Sequence, residues 1–343
     1  MSDAMVQDKP AEKAAKPITI LEALNQALAD AMAEDDTVVI LGEDVADPEE
    51  GGVTGVTKGL STRFGDKRVR STPISEQAIV GCAIGASLAG YKPVAEIMLM
   101  NFTTVAMDMI VNHAAKLRYM SGGQTNVPIV IRTMTGAGFS TGGQHADFLE
   151  AWFAHTAGIK VVIPSNSADA YGLMRSAIDD PDPVLFVENM PNYWTPYPRF
   201  ESGHRVPIGK ANVVVEGSDI TIVSYARMMN EAHMALAALG EAGVSAEIID
   251  LRTIAPWDQE TVLASVAKTG RLLVVHEAVV PFGVGAEIAA VVQEKLFGKL
   301  KAPVGRVGAP FNPVPFSKPL ETAHIPSADK IAAAAIALVK GKH

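Results

Sequence analysis

The sequence predicts an α/β protein built from two doubly wound domains. Short apolar segments alternate with helical segments along the chain, which is typical of a mostly parallel sheet covered on both faces. The alternation stops in a stretch rich in proline and aromatic residues, 191–206, and then resumes. With 343 residues, of which 48% are hydrophobic and 20% charged, the chain is long enough for two cores. We predict a disordered leader over 1–16, a first domain over 17–190, a linker over 191–206 and a second domain over 207–343.

In the first domain, helical periods of apolar residues alternate with short runs rich in β-branched residues. The helix over 18–34 is amphipathic, with leucine and alanine on one face. A glycine-rich loop follows the first strand. The predicted strands are 37–44, 68–75, 92–99, 128–134, 159–164 and 183–189, and the later helices are 76–90, 103–119, 147–155 and 168–178.

The second domain shows the same alternation more regularly. Asp258 follows a proline and precedes a helical segment, so we expect it to cap that helix. The predicted strands are 219–226, 245–251 and 271–278, and the predicted helices are 228–243, 258–268 and 283–297.

Composition excludes several classes of function. The formal net charge is −9 and no basic stripe is visible, which argues against nucleic acid as a partner. The richest apolar stretch, 79–91, is too short and too rich in glycine for a membrane span. The single cysteine, Cys82, cannot form an internal disulfide, so we expect a reducing, cytoplasmic location and a small buried thiol.

Glu76 opens a helix made almost entirely of small residues, EQAIVGCAIGASLAG. Gly81 and Gly85 are four residues apart, a spacing that lets two helix backbones approach closely. We therefore expect this helix to pack tightly against another helix. A carboxylate at its start would lie in a water-poor crevice and could share a proton with a buried ring nitrogen. The alternative is an acidic residue favoured only by the helix dipole.

Five short strings, in order, resemble the beta subunit of the thiamine diphosphate-dependent decarboxylase component of 2-oxo acid dehydrogenase complexes, a transketolase-like family. They are LGEDVA (41–46), TPISE (72–76), AAKLRYMSGG (114–123), QH (144–145) and IIDLRTIAPWD (248–258). The resemblance implies a pyrimidine-binding thiamine diphosphate fold followed by a smaller transketolase C-terminal domain. It also implies oxidative decarboxylation of a 2-oxo acid, pyruvate or branched-chain, with acyl transfer to a lipoyl group.

In this family the beta subunit holds the aminopyrimidine of the cofactor, and the alpha subunit holds its diphosphate and magnesium. The sequence agrees, because it contains no GDG string followed by an asparagine pair. The resemblance therefore implies an enzyme that is active only with an alpha subunit, in an alpha2beta2 heterotetramer. A lipoyl-bearing dihydrolipoyl acyltransferase core is the further partner that it implies.

The resemblance also assigns site residues. Glu76 matches the acid that shares a proton with the pyrimidine, and Phe102 matches the ring that stacks on it. His145 matches a donor to the substrate or intermediate, and Glu43 matches an acid near the cofactor that helps to link two active sites. The chain departs from the usual QHSQ and reads QHAD, which leaves Asp147 either to alter the choice of substrate or to cap the next helix.

A structural potassium ion is implied by the same resemblance, held mainly by carbonyl oxygens. Its ligands would lie near Ile129, Ala177, Ile178, Asp180 and Asp182. At the last position the family commonly has asparagine, and aspartate keeps an oxygen ligand. The other histidines lack metal-ligand spacing. His276 and Glu277 are adjacent on a strand and are expected to face opposite ways.

Three alternatives stay open on sequence grounds. The loop GGVTGVTKGL and the string GAGF resemble acetoin dehydrogenase, which would make the chain the beta subunit of that enzyme. A split transketolase-like half would need arginine and lysine near His145 for sugar phosphates, and the loops there contain few. A non-catalytic scaffold that binds the acyltransferase core is the third.

Overall fold

The computed structural model describes residues 16–341. The leader predicted over 1–16 lies outside the described residues apart from Lys16. Within the described part of the chain, no helix is long and apolar enough to cross a membrane.

The first sheet is mostly parallel and has seven strands in the order β10-β5-β6-β4-β3-β1-β2. Six of its strands are β1 (Val38–Gly42), β2 (Val69–Ser71), β3 (Lys92–Leu99), β4 (Val130–Thr135), β5 (Lys160–Val162) and β6 (Val184–Asn189). The seventh, β10 (Thr253–Ala255), comes from the second half of the chain and runs antiparallel to β5. The helices of this half are α1 (Ile20–Glu34), α2 (Leu60–Phe64), α3 (Glu76–Leu88), α4 (Ala115–Met120), α5 (Glu150–Ala154) and α6 (Ser167–Asp179).

Alternating side chains place helices on both faces of this sheet. On β6, Val184 and Phe186 belong to the core under α1 and α6, whereas Leu185 and Val187 belong to the core under α3. The α1 helix begins with a capping box, in which the side chains and amides of Thr19 and Glu22 bond reciprocally.

The second sheet has five strands in the order β12-β11-β8-β9-β7, with β7 antiparallel to β9. Its strands are β7 (Asn212–Val215), β8 (Ile220–Ser224), β9 (Ala246–Asp250), β11 (Leu272–Val279) and β12 (Gly305–Ala309). Its helices are α7 (Met228–Glu241), α8 (Gln259–Thr269), α9 (Val284–Leu296), α10 (Lys318–His324) and α11 (Ala328–Val339). Asp258 caps α8 by accepting a hydrogen bond from the amide of Thr261, as predicted. The α/β class with two doubly wound domains is therefore confirmed.

The two sheets share one hydrophobic core. A single cluster of buried apolar residues runs from Ile79 and Ile97 of the first half to Val223 and Ile249 of the second. The stretch predicted as a linker also packs against the first sheet: Tyr193 is 1% exposed, and the backbone of Tyr197 bonds to that of Ile18. The second half therefore packs against the first through this shared core.

Several predicted elements differ from the structure. The helix predicted over 103–119 is divided into a 3-10 helix (Met100–Thr104), a π-helix (Met109–Ala114) and α4. The hydroxyls of Thr103 and Thr104 bond to carbonyls three residues back, within the 3-10 turn. Cys82 is exposed, so its predicted burial is wrong, because the side of α3 that carries it faces away from the core.

Glu150 is a buried carboxyl at the junction of the two halves. It is 0% exposed, and one of its oxygens accepts a hydrogen bond of 2.6 Å from the hydroxyl of Tyr225, which follows β8. Burial raises the pKa of Glu150 to about 7, against the smaller opposite effect of the Tyr225 hydroxyl. The folded state therefore binds this proton more tightly than the unfolded state, and Glu150 costs stability as the pH rises from about 4.5 to about 7.

Glu150→Gln should keep the hydrogen bond to Tyr225 and remove this titration. We expect the variant to be more stable than wild type by roughly 1 to 3 kcal/mol at pH 8, and close to wild type at pH 4.5. Urea unfolding at the two pH values measures the difference, and Glu260→Gln, at an exposed glutamate just after the cap of α8, is the control. An equal shift at both pH values would contradict the assignment.

Candidate active site

Four adjacent strands bring the predicted site residues to one edge of the first sheet. In the sheet order β4-β3-β1-β2, Glu43 follows β1, Glu76 opens α3 after β2, Phe102 follows β3, and His145 lies in the loop after β4. The carboxyl ends of neighbouring parallel strands meet at the same edge, which is where such folds bind ligands. All four residues therefore lie at this edge of the sheet.

Glu43 and Glu76 form a pair of buried acids at this edge, each 9% exposed. Burial raises the pKa of Glu43, and the negative charge of Glu76 raises it further, followed by the charges of Asp44 and Glu96. Two carboxylates that interact in this way favour a shared proton or a cationic ligand between them. Glu76 is also the first residue of α3, whose Ser75 cap makes no side-chain hydrogen bond.

Phe102 and His145 are in contact. Their ring centroids are 5.5 Å apart and the rings meet edge to face at 72°. Nδ1 of His145 is buried without a hydrogen-bond partner among residues 16–341. The imidazole is therefore oriented by packing against Phe102 and by its loop, since no side chain described here fixes it by a hydrogen bond.

Asn101, next to Phe102, ties the His145 loop to the end of β3. Its amide nitrogen donates to the carbonyl of Gly143 at 2.9 Å and to a carboxylate oxygen of Asp147 at 3.0 Å, and its own oxygen accepts from the Asp147 amide at 3.2 Å. Asp147 does not cap α5, which begins at Glu150 without a side-chain cap. That prediction is wrong because a partner from another strand end occupies the carboxylate. Burial raises the pKa of Asp147, against the hydrogen bond from Asn101.

A buried ion network lies beneath the acids. Arg132 on β4 donates to both oxygens of Glu188 on β6, at 2.6 and 2.8 Å, and to Glu96 on β3 at 2.5 Å. The register pairs Glu96 directly with Arg132 across the two strands. Removing Arg132 would leave two buried carboxylates without a counter-charge, with only the Tyr193 hydroxyl still donating to Glu188, and this is among the costliest single changes in a core. The network also adds negative charge next to Glu43.

The residues predicted to hold potassium lie close together. The carboxylates of Asp180 and Asp182 are already paired with basic side chains. Lys160 donates to both oxygens of Asp180 at 2.6 and 2.7 Å and to Asp182 at 3.2 Å, and Arg118 donates to Asp182 at 2.6 Å. The carbonyls of Ile129 and Ala177 each accept a backbone hydrogen bond. Ile178, on the same turn of α6, is buried. In the described chain, no group of three or more acidic, histidine or cysteine side chains could hold a metal ion.

Comparison with known proteins decides the family. Residues 16–195 match the transketolase pyrimidine-binding domain, and residues 209–331 match the transketolase C-terminal domain. The beta subunit of acetoin:2,6-dichlorophenolindophenol oxidoreductase from Cupriavidus necator is 46% identical, over 96% of this chain and 100% of that protein. The beta subunit of the mitochondrial pyruvate dehydrogenase E1 component from Drosophila melanogaster is 44% identical, over 96% of this chain and 91% of that protein.

The chain is a beta subunit of the thiamine diphosphate-dependent 2-oxo acid dehydrogenase family. Its fold is similar to that of a split-gene transketolase from an inactive beta4 tetramer, with a TM-score of 0.77, 23% identity, and coverage of 95% of this chain and 100% of that one. The resemblance inferred from the five strings, and the fold that it implied, are confirmed.

Sequence reasoning missed other parts of this beta subunit's site. Asn101 was overlooked, although it is next to Phe102 in the 3-10 helix Met100–Thr104. The ion network left a clearer signal, because Glu96, Arg132 and Glu188 are charged residues in the interior of strands that are mostly buried. Charged residues at such positions are buried only when they are paired.

Proposed function

We propose that this beta subunit supplies the pyrimidine-activating half of a thiamine diphosphate enzyme, which decarboxylates a 2-oxo acid and transfers the acyl group to a lipoyl arm. The observation that carries the proposal is the buried pair of Glu76 and Glu43 at the carboxyl edge of the sheet. The residues present fit an aminopyrimidine: a buried acid can meet a ring nitrogen, and the ring of Phe102 offers an aromatic face.

When bound, thiamine diphosphate supplies a carbon nucleophile and an electron sink for decarboxylation. Glu76 would hold a proton at its carboxylate for the far ring nitrogen of the pyrimidine. Glu43 lies beside it, and the charge of Glu76 adds to the burial that raises the pKa of Glu43. Phe102 would orient the ring, and the burial of both acids excludes water from the proton.

His145 would act on the substrate side of the same edge. Its Nδ1 is closed off from solvent, so Nε2 is the atom we assign to donate to a substrate carboxylate or to the oxygen of an intermediate. Such a donor assists acyl transfer only if the loop that carries it is fixed.

The remaining parts of the proposal concern partners. An alpha subunit would bind the diphosphate and magnesium in an alpha2beta2 heterotetramer, and a lipoyl-bearing dihydrolipoyl acyltransferase core would accept the acyl group. The potassium site near Ile129 and Asp182 stays a prediction, and any ion there would share Asp182 with Lys160 and Arg118. A cytoplasmic location also stays a prediction.

Acetoin is the second candidate substrate. Two relatives that span this chain, from Cupriavidus necator at 46% identity and Bacillus subtilis at 41%, are named as acetoin oxidoreductase beta subunits. Asp147 adds a partly buried acid to the His145 loop, and in its charged form this acid would favour a neutral substrate such as acetoin over an anionic 2-oxo acid.

We expect the isolated chain to show no turnover and the complex with an alpha subunit encoded nearby to be active. The measurement is reduction of 2,6-dichlorophenolindophenol with pyruvate, 3-methyl-2-oxobutanoate or acetoin as the substrate, with and without added thiamine diphosphate and magnesium. Turnover by the isolated chain would overturn the division of the site between subunits. A complex that binds the cofactor and the acyltransferase core but turns over none of the substrates would favour the scaffold alternative.

A further inference from the structure

The loop between β4 and His145 is held by side chains of the second half of the chain. The amide of Ala137 donates to Glu277 at 2.7 Å, and the carbonyl of Ala137 accepts from Arg227 at 3.1 Å. Glu277 also accepts from Asn189, at the end of β6, at 3.0 Å. Glu277 and His276 therefore have different hydrogen-bond partners, since Nδ1 of His276 lies 3.0 Å from the Ala278 carbonyl.

Glu321 on α10 makes the most extensive contact with this loop. It is 0% exposed, and one oxygen accepts from the amide of Gly138 at 2.6 Å and from the amide of Ser140 at 3.0 Å. Lys318, one turn earlier, donates to the Gly138 carbonyl at 2.5 Å and to Glu321 at 3.2 Å. Burial alone would raise the pKa of Glu321, but the amides of Gly138 and Ser140 and the Lys318 ammonium outweigh it and lower that pKa.

Two glycines further along the loop also lie against the second half. A Cβ on Gly142, where φ is +75°, would come within 2.5 Å of the Phe316 ring, and a Cβ on Gly143 within 3.0 Å of Pro313. Glycine lets the backbone approach this closely at both positions. From Ala137 to Gly143 the loop is therefore shaped by the second half, while Asn101 binds its far end.

We propose that Glu321 is a positioning residue, which fixes the Gly138–Ser140 backbone and so sets the place of His145 at the active-site edge. The amides of Gly138 and Ser140 both donate to one carboxylate oxygen, and no other acceptor for them is found among the described residues, so Glu321 decides where that backbone lies. The effect on catalysis rests on the function proposed above. The second half of the chain then contributes to the reaction through the loop, besides any role in binding partners.

Hydrogen exchange tests the first step without any activity. Glu321→Gln presents an amide in place of the carboxylate, so it weakens the bonds to Gly138 and Ser140. We expect the amides of residues 138 and 140 to exchange at least tenfold faster in the variant, and the amides of α7 to be unchanged. The control is Glu294→Gln, at an exposed glutamate of α9. Unchanged exchange at 138 and 140 would overturn the proposal.

Turnover of the reconstituted complex tests the second step. We expect Glu321→Gln to lower kcat about tenfold or more, and to leave exchange of the thiazolium proton, which depends on Glu76, at the wild-type rate. In a His145→Ala background the same change should cost less than about twofold, because the two residues act through one group. A full tenfold loss in that background would overturn the link to His145.

Two further outcomes are separable. If Glu321→Gln does not fold, Lys318→Gln is the second variant: its side chain is 60% exposed, and it should speed exchange at residue 138 and lower kcat a few-fold. Wild-type exchange and turnover in this variant would overturn the proposal. A wild-type complex that is silent with every substrate, yet shows the expected exchange, would overturn the proposed function and support the fixed loop.

Discussion

Replacing Glu76 by glutamine should lower turnover of the reconstituted complex by roughly a hundredfold or more, the scale expected for the loss of a positioned acid or base. Glutamine keeps the shape and can still hydrogen-bond to a pyrimidine, but it cannot share an acidic proton. Cofactor affinity should therefore fall much less than turnover. The direct measurement is exchange of the thiazolium proton for deuterium in the complex, which isolates activation from later steps.

Glu43→Gln is the sharpest comparison for this variant. Both acids are buried to the same extent, and their charges interact, so either could hold the proton. Because Glu76 opens α3 and matches the family's activating acid, we expect Glu43→Gln to slow exchange of the thiazolium proton much less than Glu76→Gln does. If Glu43→Gln abolished exchange while Glu76→Gln did not, the roles of the two acids would be reversed. If neither slowed it, the assignment of this edge would be wrong.

The sequence predicted the fold because the fold depends on local patterns, whereas the site residues came from the resemblance to the family and stay predictions. Alternation of strands and helices specified the parallel sheets, and parallel sheets place the loops after β1 to β4 on one edge. The start of α3 at Glu76 was predicted to the residue. What the periodicity could not supply was the outward side of α3, since its apolar and small residues lie all round the helix. The wrong prediction that Cys82 is buried followed from that ambiguity.

The parts of the site that were missed depend on contacts between distant residues. A local rule suggested a helix cap as one of two alternatives for Asp147, but Asn101, 46 positions earlier, bonds to its carboxylate instead. Glu321 lies 183 positions after Gly138 and belongs to no string that a single sequence would single out. Such residues become visible only when the topology brings the second half of the chain against the His145 loop.

Gly85→Leu should abolish assembly while leaving the single chain folded. The side of α3 that carries Ala78, Cys82 and Gly85 is exposed, and a Cβ at Gly85 would meet nothing within 4 Å in this chain. Leucine also favours a helix over glycine by about 1 kcal/mol, so the chain should be no less stable. At a close helix contact between subunits, the same side chain would cost about 1 to 3 kcal/mol or more at each copy of the contact.

Gly240→Leu provides a matched control for the assembly test. Gly240 is an exposed glycine within α7, and a Cβ there also meets nothing within 4 Å, so both variants add the same side chain to an open helix surface. Sedimentation velocity of the beta chain, alone and with the alpha subunit, should show smaller species for Gly85→Leu and the wild-type assembly for Gly240→Leu. Equal thermal midpoints of the separate chains would assign the difference to the contact rather than to folding. An unchanged assembly with normal cofactor binding in Gly85→Leu would show that this side of α3 is not a subunit contact. Two helices that approach closely enough to need glycine could not accommodate a leucine between them.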